Sequence, residues 1–451
     1  MKMFGTNGIR GVANEYLNCE LSTKVGMAIA YVLGPGPIAI AMDTRVSSPM
    51  ITSAVSSSLM SMGVDVIDLG MVPTPALQYF VKTHDEVTAG VMITASHNPP
   101  EFNGIKCVSA DGTECSHEEE SAIEDAYEMD LKTVPWQDIG GLSHVADAGE
   151  KYIDSIVSKV DVDAIRKADL KIVLDCANGA SVHTSPLLLE KLGVSAVVLN
   201  GEPDGMFPGH YSEPVEENLS ELKETVKEIG ADLGIAHDGD ADRCVFVSDT
   251  GKYLPGDIGL ALLAILSMRN ATGKKQLVST VALSNMVEDA VRAEGGETVR
   301  TAVGSPIVAR KMIETGAPIG GEDNGGIIFA DHQYCRDGAL AAARMIEFAA
   351  KNGSIQAQVD KLPKYVTIKA AAHCDDDKKA VLIDRMAANH SSEKIDRTDG
   401  LKITFSDGWV LLRPSGTEPK FRIYSESKDA AVAERRSKEF VKEVADILSA
   451  D

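Results

Sequence analysis

Short runs of β-branched and other apolar residues alternate with longer helical stretches along the first two thirds of the chain. The runs have the length of strands, and the stretches between them are long enough for helices. Strands separated in this way predict βαβ units, and therefore parallel or mixed sheets. The predicted strands are Ile38–Met42, Val64–Leu69, Val87–Thr94, Ile172–Asp175, Ala196–Leu199 and Leu277–Val281.

The last part of the chain has a different pattern, in which closely spaced strand-like runs flank a tight loop before a final helix. This pattern predicts a small α+β domain with an antiparallel sheet. Its predicted elements are strands at Val366–Ala371, Lys402–Phe405, Trp409–Arg413 and Phe421–Ser425, and a helix at Asp376–Asn389.

Three breaks in the pattern divide the chain, at Val134–Leu142, Asp249–Gly256 and Asn352–Pro363. The predicted fold class is therefore α/β, with three mixed α/β domains followed by a C-terminal α+β domain. The predicted boundaries are 1–140, 141–250, 251–362 and 363–451. No fixed-period repeat or low-complexity segment is visible.

The chain of 451 residues is acidic, with 44 Lys and Arg against 67 Asp and Glu and a formal net charge of −23. This charge opposes nonspecific binding to nucleic acid or to an anionic membrane, and a phosphate-bearing substrate needs positive charge gathered locally. The seven cysteines are scattered and contain no CxxC pair, which argues against a zinc knuckle or a disulfide framework. Without a signal-like start or a membrane-length apolar run, the expected location is the cytoplasm.

Each of the first three predicted domains has a polar loop directly after a strand. These loops are Ser96–Asn103, Asp238–Arg243 and Glu322–Gly326. Because sites in α/β sheets lie beyond the carboxyl ends of the strands, we expect the chemistry at these loops.

Asp238, Asp240 and Asp242 alternate along one of these loops. Three such carboxylates can converge on one hard cation, and they repel one another without it. An EF-hand is excluded because its sixth position would be Arg243, and a haloacid-dehalogenase site requires Thr or Val at Asp242. A solvated acidic turn is the plain alternative. Mg²⁺ beside a phosphoryl group is favoured because it is usually held by few carboxylates together with phosphate oxygens.

The other motifs are ambiguous when each is taken alone. Ser96, His97 and Lys106 could belong to a surface turn, and a serine hydrolase is not supported because the chain has no GxSxG. The segment 413–422 combines arginine, hydroxyl and glycine residues into a predicted phosphate cradle, although an edge hairpin with solvated arginines also fits. Arg10 stands among glycines ahead of any predicted regular element and could be an ordinary terminal-loop residue, and the glycine-rich segment 320–326 could be a plain turn. Both indicate a function only together with the other motifs.

Taken in order, five motifs resemble the α-D-phosphohexomutase superfamily across essentially the whole chain. The motifs are FGTNGIRG (4–11), TASHNPPEFNGIK (94–106), DGDADR (238–243), GGEDNGG (320–326) and RPSGTEPKFRIY (413–424). The resemblance implies four domains around a central cleft, Mg²⁺ as cofactor, and a hexose 1,6-bisphosphate, here glucosamine 1,6-bisphosphate, as intermediate and activator. The implied partner is a small sugar phosphate, and a homodimer is a further expectation.

The resemblance also implies a role for each matching residue. Ser96 matches the phosphorylated serine, and Asp238, Asp240 and Asp242 match the Mg²⁺ ligands, together with an oxygen of phosphoserine 96. Arg10 and Lys106 look like the residues that assist proton transfer, and His97 and Arg243 line the same site. The implied substrate contacts are Glu322 and Asn324 at the sugar, and Arg413, Ser415, Gly416, Thr417 and Arg422 at the phosphate that does not react.

The implied activity is a mutase reaction. FGTNGIRG with an Asn-Gly-Gly sugar loop looks most like the archaeal-type phosphoglucosamine mutases, which interconvert glucosamine 6-phosphate and glucosamine 1-phosphate for UDP-N-acetylglucosamine synthesis. The family's loop often reads GExSGH, whereas Asn324 and Gly326 stand here in place of Ser and His. The alternatives are a phosphomannomutase or phosphoglucomutase, a metal-dependent phosphatase, and a noncatalytic sugar-phosphate sensor, which would be marked by loss of the nucleophile, metal carboxylates or base.

Overall fold

The computed structural model describes residues 3–5, 7–414 and 419–449. It contains four sheets, one in each predicted domain: three mixed sheets and a C-terminal antiparallel sheet. The predicted fold class is therefore confirmed. The exact domain boundaries stay a prediction, and one short strand beyond residue 140, at Leu142–His144, still pairs with the first sheet.

The first domain has a six-stranded sheet in the order β1-β5-β4-β2-β3-β6. β2 pairs in parallel with β3 and β4, whereas β5 is antiparallel to both β4 and β1. Its elements are β1 (Ile9–Val12), α1 (Cys19–Leu33), β2 (Ile38–Met42), α2 (Ser48–Ser61), β3 (Val66–Met71), α3 (Thr74–Thr83), β4 (Ala89–Ile93), β5 (Phe102–Ser109), α4 (His117–Tyr127) and β6 (Leu142–His144).

Two sequence expectations in this domain are wrong. Arg10 lies inside β1 and not ahead of the first regular element, because β1 is held by pairing with β5 far along the chain. The polar loop after β4 ends before Asn103, which belongs to β5 together with Lys106. Four apolar residues along β5, in which every position after Phe102 is buried, explain why the strand forms there.

The second domain has a five-stranded sheet in the order β11-β10-β9-β7-β8. β7 is parallel to β8 and β9, and β10 is antiparallel to β9. Its elements are α5 (Ala148–Val157), α6 (Val162–Ala168), β7 (Lys171–Asp175), α7 (Ser185–Leu192), β8 (Ser195–Leu199), α8 (Ser220–Ile229), β9 (Leu233–His237), β10 (Cys244–Ser248) and β11 (Tyr253–Leu254).

The third domain has a five-stranded sheet in the order β13-β12-β14-β15-β16. A short helix, α13, lies inside the break expected at 352–363. The elements are α9 (Gly256–Asn270), β12 (Gln276–Thr280), α10 (Asn285–Ala293), β13 (Glu297–Thr301), α11 (Ser305–Thr315), β14 (Ile319–Gly321), β15 (Ile327–Phe329), β16 (Gln333–Arg336), α12 (Gly338–Asn352) and α13 (Ile355–Val359).

These three domains repeat one pattern of strands. A central strand has parallel strands on one side and an antiparallel partner, the next strand in the chain, on the other. The three polar loops predicted from the sequence occupy equivalent places, between β4 and β5, β9 and β10, and β14 and β15. The sequence shows no repeat because the strands share a pattern of burial rather than particular residues.

The fourth domain has an antiparallel sheet in the order β17-β21-β20-β19-β18. Its elements are β17 (Val366–His373), α14 (Lys379–Asn389), β18 (Lys394–Asp396), β19 (Leu401–Phe405), β20 (Gly408–Pro414), β21 (Lys420–Ser427) and α15 (Ala430–Ser449).

The largest cluster of buried apolar side chains runs through the first three domains, from Ala39 to Leu362, and smaller separate clusters lie within each of these domains. The fourth domain has a separate core, which extends from Cys374 to Val444. A small cluster of Val281, Trp409 and Leu411 connects the third domain to the fourth. Among the described helices, none combines the length and apolar character needed to cross a bilayer.

Candidate active site

Ser96 lies in the loop that follows β4, and its side chain faces the second domain. Its backbone is in the left-handed region, with φ of 53°, and its N–H donates to Thr94 Oγ1 at 2.8 Å. The Ser96 hydroxyl donates to Asp238 Oδ2 at 2.7 Å. The approach of the two loops requires Gly239, because a Cβ there would stand 2.5 Å from Ser96 O.

Asp238, Asp240 and Asp242 follow β9, and all three side chains are buried. Their potential ligand atoms lie within 4.8 Å of one another. Burial, together with the neighbouring Asp240 and Asp242, raises the pKa of Asp238. Burial acts in the same direction at Asp240, but the charge and hydrogen bond of Lys106 hold the pKa of that carboxyl below its usual range.

These carboxylates fit a divalent cation. Among the described residues, Asp240 Oδ1 and Asp242 Oδ1 are buried with no hydrogen-bond partner, so each has lone pairs available for a metal. Buried, unpaired carboxylate oxygens are costly, and hard cations such as Mg²⁺ take oxygen ligands of this kind. The donor set therefore supports the expected cofactor.

Cations from two domains surround the carboxylates. On β5, Lys106 donates from Nζ to Asp240 Oδ2 at 2.6 Å and to Asp242 Oδ2 at 3.3 Å. Arg243 lies farther away, with Nε 3.8 Å from Asp238 Oδ2 and 4.0 Å from Asp242 Oδ1. Two positively charged side chains thus lie beside three carboxylates that would otherwise repel one another. Their positive charge favours the binding of phosphate oxygens next to the cluster.

Arg336 is a functional candidate that sequence reasoning missed. It is buried at the end of β16, and Nη2 contacts Asp242 Oδ2 at 2.6 Å and Glu114 Oε1 at 3.5 Å. Its Nη1 lies 3.9 Å from Glu322 Oε2. Arg336 therefore joins the carboxylate cluster to the sugar loop, but its sequence neighbourhood contains no glycine-rich or hydroxyl motif that would mark it.

Arg10 and His97 flank the Ser96 loop. Arg10 Nη1 donates to Asn98 Oδ1 at 2.8 Å and to Ala95 O at 3.3 Å. The His97 Nδ1 atom lies 3.4 Å from Ser96 Oγ. Burial and the charges of Arg243 and Arg10 lower the pKa of His97 to about 2, so its imidazole is neutral at physiological pH.

The sugar loop between β14 and β15 presents Glu322, which is buried, and Asn324. Glu322 Oε1 accepts a hydrogen bond from Gly304 N at 3.1 Å. Asn324 Oδ1 accepts from Gly326 N at 3.0 Å, which leaves the amide nitrogen of Asn324 as its donor. Between them, Asp323 pairs with Lys369 of the fourth domain at 2.9 Å.

The expected phosphate cradle is described in part. Arg413 lies on β20, directly opposite Arg422 on β21, and its Nε donates to Asp399 Oδ2 at 2.8 Å. The same Asp399 oxygen accepts from Val303 N of the third domain at 3.0 Å. Ser415, Gly416 and Thr417 lie outside the described residues.

The structure thus brings most of the expected residues into one connected set. Contacts link Ser96, Asp238, Asp240, Asp242, Lys106 and Arg243 directly. His97 stands on the Ser96 loop, and Arg10 bonds to that loop from β1. Glu322 is linked to the set through Arg336. Arg413 connects to the third domain through Asp399, and among the hydrogen bonds of the described residues none joins Arg413 to Ser96.

Four family models match consecutive parts of this chain, and together they cover nearly all of it. Three describe α/β/α domains I, II and III of phosphoglucomutase/phosphomannomutase and match residues 1–133, 150–251 and 255–365. The fourth describes the C-terminal domain of phosphoglucomutase/phosphomannomutase and matches residues 357–443.

Whole-length relatives give the same result. A phosphoglucomutase/phosphomannomutase of Thermococcus kodakarensis is 43% identical, covering 98% of this chain and 97% of its own. A probable phosphoglucosamine mutase of Methanopyrus kandleri is 40% identical, and the match covers 99% of this chain and 98% of the relative. The crystal structure of a phosphoglucomutase/phosphomannomutase family protein of Burkholderia thailandensis superposes with a TM-score of 0.87 at 28% identity. The superposition covers 97% of this chain and 96% of that one. The chain therefore belongs to the phosphoglucomutase/phosphomannomutase family of phosphohexomutases, isomerases that transfer a phosphoryl group intramolecularly.

Proposed function

We propose that the chain is a phosphoglucosamine mutase, which interconverts glucosamine 6-phosphate and glucosamine 1-phosphate through phosphoserine 96. The contact that carries the mechanism is the 2.7 Å hydrogen bond from Ser96 Oγ to Asp238, inside a buried cluster of three carboxylates. A serine hydroxyl in this position can give and receive a phosphoryl group beside a metal and fixed cations.

Each residue of the cluster has a role in this proposal. Asp238, Asp240 and Asp242 would hold Mg²⁺, which supplies charge stabilisation at the phosphoryl oxygens when bound. Arg243 neutralises the same oxygens, and Lys106 and Arg10 assist the transfer of the proton from the sugar hydroxyl. The neutral His97 lies beside Ser96 Oγ without adding charge. The buried site excludes water, which would otherwise hydrolyse the phosphoserine.

The cycle needs a second phosphate site. Phosphoserine 96 gives its group to a hexose 6-phosphate, and the resulting glucosamine 1,6-bisphosphate turns end for end before the other phosphate returns to Ser96. Arg413, Ser415, Gly416, Thr417 and Arg422 hold the phosphate that does not react. One clamp serves both orientations because each half of the cycle presents it with a phosphate. Glu322 and Asn324 contact the sugar between the two ends.

Acidity near the sugar loop supports an amino sugar. Glu322, Asp323 and Asp257 supply three carboxyl groups, of which Glu322 lies near Arg336 and Asp323 pairs with Lys369. Burial and the nearby Asp323 raise the pKa of Asp257 to about 7. A protonated amine at C2 of the substrate would be attracted to these carboxyl groups and would favour the ionised form of Asp257, whereas a neutral hydroxyl would gain less. The relative of Methanopyrus kandleri also carries the phosphoglucosamine mutase name.

The alternative is a phosphomannomutase or phosphoglucomutase on the same scaffold. It is supported by the Thermococcus kodakarensis relative, which has the higher identity of the two and carries that broader name. The deciding experiment measures kcat/KM for glucosamine, glucose and mannose 1-phosphates on one preparation. We expect glucosamine 1-phosphate to be preferred; a preference for glucose or mannose 1-phosphate would establish the alternative.

Replacing Ser96 by Ala tests the phosphoserine mechanism. Loss of a covalent nucleophile should lower kcat by about 10³-fold or more. Intact mass should show the phosphorylated form in the wild type after incubation with glucose 1,6-bisphosphate, and no such form in the variant. Ser58→Ala is the matched control, because Ser58 is buried in α2 and its hydroxyl bonds within that helix. Near-normal turnover of Ser96→Ala would refute the mechanism, and phosphate release as fast as isomerisation would identify a phosphatase.

A cytoplasmic location, expected from the sequence pattern, stays a prediction, as do a role in UDP-N-acetylglucosamine synthesis and a homodimeric assembly. The pathway role accords with the proposed reaction, whose product would be a precursor for a nucleotide sugar.

A further inference from the structure

The loop that carries Ser96 closes around a single buried arginine, Arg45, in the turn after β2. Arg45 is 1% exposed, and every one of its five N–H donors has an acceptor. Nε donates to Asp43 Oδ2 at 3.0 Å. The other donors serve four backbone carbonyls: Nη1 bonds Pro99 O at 2.6 Å and Phe102 O at 2.9 Å, and Nη2 bonds Ser96 O at 2.8 Å and Asn98 O at 2.6 Å.

These bonds determine the shape of the loop. A rigid, planar guanidinium fixes the directions of its five donors, so the four carbonyls cannot move independently. Ser96 has a left-handed backbone, which a residue with a Cβ adopts seldom and which therefore needs outside support. Thr94 supplies part of that support, because its hydroxyl donates to Asp43 Oδ2 at 2.6 Å and accepts from Ser96 N.

The same bonds suit a loop that carries a phosphate. Carbonyl oxygens have partial negative charge and would repel a phosphoserine dianion. In this loop the carbonyls of Ser96, Asn98, Pro99 and Phe102 are all engaged by the Arg45 cation. The guanidinium therefore compensates the dipoles of four carbonyls in the loop that carries the phosphorylated side chain.

The second domain covers the arginine and shares its acceptors. The Phe207 ring lies over the Arg45 guanidinium at 5.0 Å. Ser212 Oγ donates to the same two carbonyls that Nη2 binds, at 3.4 Å to Ser96 O and 3.4 Å to Asn98 O. The loop is thus held from the first domain by Arg45 and from the second by Ser212, where Asp238 meets Ser96.

We infer that Arg45 is a positioning residue for phosphoryl transfer, which holds the Ser96 loop so that Ser96 Oγ faces the carboxylate cluster. The inference rests on the proposed phosphoserine function. Arg45 does not touch Ser96 Oγ, so it acts through the loop backbone. Its loss should slow both phosphorylation of Ser96 and turnover, with little effect on the affinity for the sugar phosphate.

The test replaces Arg45 by Lys, which keeps the charge but has one nitrogen where the guanidinium has three. Misplacing a reacting group by about 1 Å can cost on the order of 100-fold in rate, so we expect kcat to fall by about 10- to 100-fold. KM should stay within about threefold of the wild type. The rate of Ser96 phosphorylation by glucose 1,6-bisphosphate, followed by intact mass, should fall in parallel with kcat.

Arg344→Lys is the matched control. Arg344 is also buried, pairs with an aspartate and lies 5.0 Å from a phenylalanine ring, Phe329, but it serves no carbonyl of the Ser96 loop among the hydrogen bonds of the described residues. Its replacement should lower stability without slowing phosphorylation at temperatures well below Tm. A parallel loss of rate in the control would show that the Arg45 effect is merely structural.

Thr94→Val provides a second variant that keeps side-chain volume and removes one support of Ser96 N. We expect slower phosphorylation in this variant too, so the inference can be tested even if Arg45→Lys does not fold. Wild-type phosphorylation rates in Thr94→Val and in folded Arg45→Lys would overturn the inference. If the wild type itself acquires no phosphate at Ser96, the proposed function fails instead.

Discussion

At the residue scale, Arg336 shows how a single buried cation can join separate parts of a site. Its guanidinium contacts Asp242, Glu114 and Glu322, which belong to the second, first and third domains. Burial opposes its charge, but these carboxylates raise the pKa of Arg336 beyond its usual range. The cation therefore stabilises charge that would otherwise be unpaired inside the protein.

Replacing Arg336 by Met should strongly destabilise the protein. The change leaves buried carboxylates without their partner, which typically costs about 3–5 kcal/mol of unfolding free energy. Urea unfolding of both proteins, without added metal, measures the difference. Arg292→Met is the control, because the exposed Arg292 pairs with Glu288 and Asp289 at the surface, where the loss should be below about 1 kcal/mol. Similar losses in the two variants would contradict the structural role.

The sequence predicted those residues that stand in dense motifs. Ser96 and the three aspartates could be located because they follow apolar strands in loops rich in polar groups. Arg45, Glu114 and Arg336 could not be found in this way. Their roles depend on contacts between residues far apart in sequence, 222 positions in the case of Glu114 and Arg336, and no local pattern encodes such a distance.

At the element scale, β20 is buried on both faces. Val410 and Leu412 point into the core of the fourth domain, while Trp409 and Leu411 pack against Val281 of the third. Because successive side chains of a strand point to opposite faces, β20 contributes both to the core of the fourth domain and to the contact with the third. Lys402, on the neighbouring β19, lies in the same contact, with Nζ donating to Val281 O at 2.6 Å and standing 4.2 Å from the Trp409 ring.

Lys402 should make stability depend on pH. Burial, with repulsion from Arg300, lowers the pKa of Lys402 to about 7 from an ordinary value of 10.5. Between these values the unfolded chain binds more protons than the folded protein, so the contribution of Lys402 to stability rises with pH from about 7 to 10. The unfolding free energy of the wild type minus that of Lys402→Met should therefore increase between pH 7 and pH 9.

The control for this measurement is Lys428→Met. Lys428 also lies over an aromatic ring, that of Tyr365 at 5.3 Å, but it is exposed. An equal pH slope for the two variants, or none for Lys402→Met, would show that the buried amine is not the source.

Strands could be predicted from sequence where their own residues are apolar. β2 was located at Ile38–Met42, with the bounds that the structure has. β1 was missed because its four residues include an arginine and a glycine, and it exists through its register with β5. Pairing between distant strands supplies hydrogen bonds that the local sequence does not reveal.

At the scale of the whole molecule, the division of the apolar core separates three domains from the fourth. The large core is continuous through the first three domains, whereas the fourth is attached by the linker after α13 and by the Val281–Trp409–Leu411 cluster. Polar contacts, among them Asp323 with Lys369, Val303 with Asp399 and Lys402 with Val281, add to the attachment. A small interface between large cores favours movement of the fourth domain as a unit.

Detachment of the fourth domain should precede unfolding of the rest. The chain has two tryptophans, the exposed Trp136 and the buried Trp409, so Trp136→Phe leaves a fluorescence probe at the interface. On heating this variant, the emission of Trp409 should shift toward that of a solvated indole several degrees below the main loss of far-UV circular dichroism. Coincident transitions for the two signals would instead indicate a single cooperative unit.

The separate core of the fourth domain has a consequence for the processivity of the proposed cycle. A bisphosphate that escapes while this domain is detached leaves Ser96 without its phosphate, and that molecule is inactive until another bisphosphate restores it. The number of turnovers that follow each phosphorylation of Ser96 by a free bisphosphate is then set by a ratio of two rates: the rate at which the intermediate reorients, divided by the rate at which it escapes. Residues such as Asp399, which link the fourth domain to the third, would act on that ratio while remaining outside the chemical step.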